Sequence, residues 1–335
     1  MADIERGGVF AQIIGTLELL NSRERSLIKG LLINRFRGDQ TLFKEGKIWL
    51  EAKTGIPVIG ILPWIKEVFP PEDSLDLLNR NTKKLFSEIE IAVIKLPSLS
   101  NFSDLDPLEA EPTVQLRWVG PNDLLGKPDA VIIPGSKQTI KDLNHLVSNG
   151  LGQQIKDYSK QGGEILGICG GMQMLGISLH DPSGLESKSS SEISKKVAGL
   201  DLLPICTEFK KNKVVKRRKV SSSWPVKATL DCFELHHGFS SVSPTCSKKL
   251  IAIMEEENLG WTICLENNSV VTGTYLHGIF ENGLWRGEWL NRLRTKKGLN
   301  RLKIKDSNYV ETREKQLDFL SERFDEHIDL ERFLK

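Results

Sequence analysis

A chain of 335 residues has room for two domains of ordinary size, and a hydrophobic fraction of 39% is enough to bury a core in each. Lys+Arg 46 against Asp+Glu 44 leaves a formal net charge of +2, which gives no electrostatic footprint for a nucleic acid or a membrane surface. No apolar run approaches the ~18 residues of a membrane span, no basic-then-apolar leader is visible, and Cys 5 is an odd count without paired or metal-ligand spacing, so a reduced, cytoplasmic setting is expected.

The chain opens on charged and glycine residues, Met1-Ala2-Asp3-Ile4-Glu5-Arg6-Gly7-Gly8, where a domain usually begins with a core strand. Val9, Ile13, Ile14, Leu17 and Leu20 recur at three-to-four spacing and predict a helix. Gly30 to Asn34 reads as a strand, then come a polar turn at Gly38-Asp39, a helix around Phe43 to Ala52, and a strand from Pro57 to Leu62 stopped by Pro63. Strands alternating with helices predict a parallel sheet, but these are too few for a complete doubly wound domain and look like its second half. A polar stretch from Phe69 to Ser74 and a short helix lead to a boundary near residue 87.

The second unit starts with the apolar strand Ile91 to Ile94 and alternates again. Ala130 to Ile133 is a strand ended by Pro134-Gly135, and Ile140, Leu143 and Leu146 mark one helix face, stopped at Asn149-Gly150. Ile155 and Tyr158 mark a further short helix, and Glu164 to Ile168 is a strand followed at once by Cys169-Gly170-Gly171 and a helix from Met172 to Leu175. Ser183 to Lys196 reads as a mobile loop, and the basic run Lys210 to Lys219 as a solvated hairpin or loop, since no aromatic residues interleave to make a nucleic-acid surface. In the tail, Val310, Leu317, Leu320, Phe324 and Ile328 share one helical face, which is expected to pack on the second domain.

The chemistry concentrates in Leu166-Gly167-Ile168-Cys169-Gly170-Gly171-Met172-Gln173-Met174-Leu175-Gly176. A strand turning sharply into a helix, with small residues on both sides of one reactive side chain, is the layout of a nucleophile elbow. Glycines tolerate that turn, the helix N-terminus favours thiolate over thiol, and the Gly170 N–H points at an oxyanion formed on an attacked carbonyl. An isolated cysteine would be read as a buried structural residue; the flanking pattern reverses that reading.

GICGGMQMLG resembles the nucleophile segment of class I, triad-type glutamine amidotransferases, and specifically their cobyric acid synthase branch. VIIPGSKQTIKDL at 131–143, FELHHG at 233–238, GTYLHGIFEN at 273–282 and SLSNFSDLDPL at 98–108 resemble further motifs of that domain. ADIERGGVFAQIIGTLELL at 2–20, INRFRGD at 33–39 and PPEDSL at 70–75 resemble the branch's synthetase domain. The resemblance implies an α/β chain: a partial doubly wound, phosphate-loop-type domain over 1–87, similar to dethiobiotin synthetase, then a flavodoxin-like amidotransferase domain over 88–295, with 296–335 as a helical tail on the latter. It implies Cys169 as nucleophile and His277 as its base, Gly135 and Gly170 as oxyanion donors, and Glu234 with His236 as secondary site groups; His236 and His237 remain rivals for the base. Most relatives of the wider class carry a glutamate two residues after the histidine, where this chain has Ile279, so the resemblance implies a Cys–His dyad, with Glu281 an open candidate for orienting the ring.

The same resemblance implies glutamine, ATP with Mg²⁺, and adenosylcobyrinic acid a,c-diamide as substrates, the b, d, e and g carboxylates of the last being amidated. The glycine-rich phosphate loop expected of such a synthetase is not found in the chain, which therefore reads as the C-terminal two-thirds of one. Asp3 on the Mg²⁺ side and Asn34 near the adenine are the remaining nucleotide candidates, with ordinary turn residues as the competing reading. The expectation is a chain that alone hydrolyses glutamine weakly and does not complete the synthesis. Two other readings stay open: a glutaminase serving another ligase, and an inactive remnant that binds glutamine or a partner.

Overall fold

The computed structural model describes residues 1–65, 84, 86–186, 196–244, 250–304, 308–329 and 331. The motif at 70–75, most of the short helix expected before residue 87 and most of the segment following Ser183 lie outside the described residues. Two compact units result, Met1–Pro70 with Val310–Lys335, and Pro71–Tyr309.

In the first unit, parallel strands lie in the order Ala2–Asp3, Leu31–Phe36, Val58–Pro63. Helices Val9–Leu19 and Lys44–Thr54 bury Val9, Ile13, Leu17 and Leu50 in one cluster with Ile33 and Val58, as their spacing predicts. The tail corrects its expectation. Helix Tyr309–His327 runs into Ile328, which bridges Gly60, while the Asp329 N–H donates to the Ile59 carbonyl at 2.7 Å. An edge strand offers unpaired backbone groups, and here the tail takes them. Leu317 and Phe324, two members of the face expected to be covered, are 46% and 38% exposed.

The second unit is built on a seven-stranded sheet in the order Leu250–Ala252, Gly260–Cys264, Val270–Thr274, Glu164–Ile168, Ala130–Ile133, Ile89–Ile94, Val114–Val119. The five strands from Val270–Thr274 onward are parallel. Their apolar residues alternate between two clusters: Ile89, Ile91 and Val93 join one, Ala92 and Ile94 the other. A strand buried on both faces must be apolar throughout, which is why these segments read as continuous hydrophobic runs. A second sheet holds Lys196–Ala198, Ser178–His180, the long hairpin Ile205–Ser222 and Ala228–Val242, and Leu276–His277. Leu99–Ser100 and Gly135–Ser136 pair separately.

Four neighbouring parallel strands end on the same side, and the segments leaving them carry Tyr275 to His277, Cys169, Gly135-Ser136 and Ser98 to Asp104. Open α/β sheets bind ligands at such carboxyl ends. Among the described residues no helix is long and apolar enough to cross a membrane, and no group of three or more His, Cys, Asp or Glu is arranged to hold a metal ion.

Candidate active site

Cys169 stands between strand Glu164–Ile168 and helix Gly170–Leu175, with φ 51° and ψ −107°. A non-glycine residue there is strained, so the surroundings must hold it. Its N–H donates to the Thr274 carbonyl at 2.7 Å, and its own carbonyl accepts the Gln173 N–H at 3.1 Å. The side chain is 5% exposed, and Sγ donates weakly to the Leu235 carbonyl at 3.6 Å.

His277 lies more than a hundred positions downstream, yet the fold makes it a neighbour. Val270–Thr274 pairs in parallel with Glu164–Ile168, Thr274 opposite Ile168, so the chain leaves both strands side by side. The imidazole is fully buried, stacks on Phe233 at 5.0 Å between centroids, and feels the Cys169 side chain electrostatically. Its Nδ1 meets Asp104 Oδ2 at 2.7 Å, and the other carboxylate oxygen accepts the Gly278 N–H at 2.8 Å. Asp104 is 4% exposed. The expected dyad is therefore a Cys–His–Asp row, and the orienting acid comes from the segment after Ile89–Ile94 rather than from Glu281. Ile279, where a glutamate was absent, is fully buried.

Burial works against a charge on His277, but the Asp104 carboxylate and then the Cys169 side chain outweigh it and raise the imidazole to about 10 from 6.5. The ring is thus a cation at neutral pH, and a cation beside the sulfur favours the negative charge a nucleophilic thiolate carries. Asn101, in the left-handed conformation at φ 50°, sets its side-chain amide 3.2 Å from Nε2.

The Gly135-Ser136 loop faces the elbow. Lys137 N–H donates to Ser98 O at 2.8 Å, so the alternation of an antiparallel ladder makes Ser100 and Gly135 the next hydrogen-bonded pair. That turns the Gly135 N–H toward Ser100 and leaves the Ser136 N–H facing the other way, which argues against Gly135 as the oxyanion donor. A Cβ built on Gly170 would lie 3.0 Å from Ser136 N, and Ser136 lines the cavity over Cys169. Fully buried Asp142 anchors the loop, accepting from Ser136 Oγ at 2.6 Å and from the Ser98 N–H at 3.1 Å.

Glu234 and His236 form their own cluster. His236 Nδ1 donates to the Gly238 carbonyl at 2.7 Å, Nε2 faces Glu234 at 3.0 Å, and the ring stacks on Tyr275 at 3.8 Å. Glu234 also pairs with Arg218. Burial would raise its carboxyl, but the bonds from His236 and Arg218 prevail and hold it below the usual range. Both His236 nitrogens are thus committed to acceptors and neither serves as base. His237 donates to the Lys210 carbonyl at 3.2 Å.

Asp3 and Asn34 line a separate cavity of about 490 Å³ in the first unit. Asp3 accepts the Glu5 N–H at 3.0 Å and pairs with Arg35 at 3.1 Å and Arg6 at 3.5 Å; Asn34 Oδ1 accepts the Arg35 N–H at 2.9 Å. A carboxylate already neutralised by two guanidinium groups is a poor fit for Mg²⁺.

Residues 90–285 match the model of the CobB/CobQ-like glutamine amidotransferase domain. The chain belongs to that family. Within it, the chain is 57% identical over 330 residues to a cobyric acid synthase of Prochlorococcus marinus (strain MIT 9313), covering 98% of this chain and 66% of that protein. It is 52% identical over 335 residues to the cobyric acid synthase of P. marinus (strain NATL2A), covering 100% and 66%, and 53% identical over 338 residues to that of Synechococcus sp. (strain WH7803), covering 100% and 68%. The chain thus spans about two thirds of the length of these curated relatives and stands on the cobyric acid synthase branch of the family.

Proposed function

We propose that the second unit hydrolyses glutamine to glutamate and ammonia at Cys169, as the ammonia-supplying half of a cobyric acid synthase. The observation that carries this reading is the buried row of Asp104, His277 and Cys169, carried by segments that leave parallel strands of one sheet.

The carboxamide carbon of glutamine takes the Cys169 sulfur as nucleophile. The oxygen becomes an oxyanion held by the N–H groups of Gly170 and Ser136, two residues close enough that a Cβ on Gly170 would lie 3.0 Å from Ser136 N. His277 gives its proton to the departing ammonia and a thioester remains; the ring then takes a proton from water, which attacks the thioester and frees glutamate. Asp104 keeps Nδ1 protonated throughout, so that Nε2 is the nitrogen exchanging protons.

The acceptor side of the proposal follows the relatives: amidation, with ATP and Mg²⁺ as substrates, of the b, d, e and g carboxylates of adenosylcobyrinic acid a,c-diamide. Asp3 and Asn34 do not form a fitting nucleotide or metal site, and no step passes through them. The glutaminase half is tested with the purified chain by glutamate release and by mass spectrometry after a glutamine-mimicking diazoketone. Glutamate should appear and the label should sit on Cys169, both vanishing in Cys169→Ser. A label distributed over Cys206 and Cys264, with no glutamate formed, would sink the proposal.

A further inference from the structure

A short turn, Gly278 to Asn282, separates His277 from helix Gly283–Lys296. Two side chains cap four consecutive carbonyls of that turn. Asn282 Nδ2 donates to the Gly278 carbonyl at 3.1 Å and to the Ile279 carbonyl at 3.3 Å, while Asn282 Oδ1 accepts the Asp231 N–H at 3.0 Å. Arg286 Nη1 donates to the Phe280 carbonyl and, at 3.3 Å, to the Glu281 carbonyl. Buried carbonyls are costly to leave without donors, so these bonds fix the path of the turn and, through it, the backbone of His277.

The same guanidinium also reaches the arm that brings Asp104. Arg286 Nε donates to Glu111 Oε1 at 2.8 Å, and Glu111 stands just past helix Asp106–Glu109, on the segment that begins with Asp104. Arg286 is 7% exposed, a burial that a charge tolerates only with its partners in place. A guanidinium is a flat fork with donors at fixed angles, so it can hold two partners at a set separation; a lysine nitrogen cannot. The two arms already meet at the site, where Asp104 takes His277 Nδ1 and the Gly278 N–H. A single meeting point leaves a hinge. The bond to Glu111 adds a second point and fixes the angle.

We propose that Arg286 is a positioning residue of the glutaminase site, a strut that ties the histidine turn to the aspartate arm and holds His277 Nε2 on line with Cys169. This deepens the glutaminase reading of Cys169 and rests on it. Arg286 lines a cavity of about 260 Å³ that is separate from the one over Cys169, so it acts through the ring and not on glutamine. The same helix supplies a control. Arg294 is 4% exposed, lines that same smaller cavity and pairs with Glu88 at 2.7 Å, but its Nε goes to the Asn300 carbonyl, away from the turn.

The test measures glutamate release, and the pH dependence of Cys169 alkylation by iodoacetamide, in Arg286→Lys, Glu111→Ala and Arg294→Lys. Arg286→Lys keeps the charge and loses the fork. It should lower kcat about 10- to 100-fold with KM held within about twofold, as for a reacting group displaced by up to about 1 Å. Burial lowers the His277 pKa and the Asp104 carboxylate raises it, so an aspartate held less firmly should let the alkaline limb of alkylation move down. Glu111 is 31% exposed in its side chain, so water can fill its place. Glu111→Ala should shift rate and limb in the same direction, and combining it with Arg286→Lys should cost nothing further, because both cut one strut. Arg294→Lys should lower the urea midpoint and leave kcat and the limb where they are. Wild-type kcat and limb in Arg286→Lys, or equal changes in Arg294→Lys, would overturn the strut and leave Arg286 a structural arginine. Should Arg286→Lys not fold, Glu111→Ala decides alone, and an unmoved limb there overturns the proposal. A wild-type chain that neither releases glutamate nor takes the diazoketone label would instead end the glutaminase reading beneath it.

Discussion

Replacing Asp104 by Asn is expected to slow acylation of Cys169 by glutamine about 10³- to 10⁴-fold while leaving the fold in place. The carboxylate fixes the Nδ1–H tautomer through a 2.7 Å bond and is itself fixed by the Gly278 N–H. An asparagine of the same shape can present its NH₂ to Nδ1, which turns the ring into the other tautomer and withdraws Nε2 as a proton acceptor. A pH signature separates this from mere loosening. Burial lowers the His277 pKa, and Asp104 is its first opponent; together with Cys169 it sets the wild-type value at about 10. The alkaline limb of Cys169 alkylation by iodoacetamide should therefore lie near pH 10 in the wild type and move down in Asp104→Asn, where burial meets less opposition. Stability follows the same sign. A histidine whose folded pKa lies above its unfolded 6.5 stabilises the folded chain fully below about 6.5 and loses that contribution as pH rises through about 10. The wild-type urea midpoint should fall across that window more steeply than the variant's. An alkaline limb unmoved by the substitution would mean that Asp104 does not govern the ring.

Asp104 also marks the limit of what the residues disclose in a line. The elbow around Cys169 is legible because its requirements are local: an apolar strand, a turn lined with glycine, a helix start. Asp104 stands 173 positions from His277, and no spacing rule connects them. They meet because Ile89–Ile94 and Val270–Thr274 lie in one sheet on either side of Ala130–Ile133 and Glu164–Ile168. The available signal was an acid set between Phe102 and Leu105, in a segment otherwise headed for the core.

The expectation of Gly135 as an oxyanion donor rests on the turn at Pro134-Gly135 and passes over Ser136 beside it. Both follow the strand end, and only the parity of the ladder with Leu99–Ser100 decides which amide faces the sulfur. The lysine-rich run at 210–219, read as a solvated hairpin or loop, lies in one arm of a long hairpin; residues 210–213 are expelled from pairing, which breaks the alternation that marks a half-buried strand and leaves its length unreadable. For the tail, three-to-four spacing located the helix correctly, but periodicity identifies an apolar face without naming what covers it. The edge of Val58–Pro63, with free backbone groups, took the residues that follow.

The other large effect is expected from a single methyl group at Gly171. A Cβ there would stand 1.9 Å from the Ile133 carbonyl oxygen, 2.6 Å from its carbon and 2.8 Å from the Pro134 oxygen, all backbone atoms. A flexible side chain can swing aside, but these atoms end a central parallel strand and begin the loop that carries Ser136. Helix Gly170–Leu175 must then lift by roughly 1 Å or more, and overpacking of this kind costs about 1–3 kcal/mol or more. The chemistry suffers further, because a displacement of about 1 Å at a reacting group costs on the order of 100-fold in rate. Gly171→Ala should therefore lower the urea midpoint of the second unit and remove diazoketone labelling of Cys169 in whatever protein still folds. Gly15→Ala supplies the opposite sign. It lies in helix Val9–Leu19 with nothing within 4 Å of the added atom, so it should stabilise the first unit by about 0.8–1 kcal/mol through helix propensity alone. If Gly171→Ala were as harmless as Gly15→Ala, the helix bearing the nucleophile would not rest on the end of the neighbouring strand, and the alignment of Cys169 with Ser136 and His277 would have no rigid support.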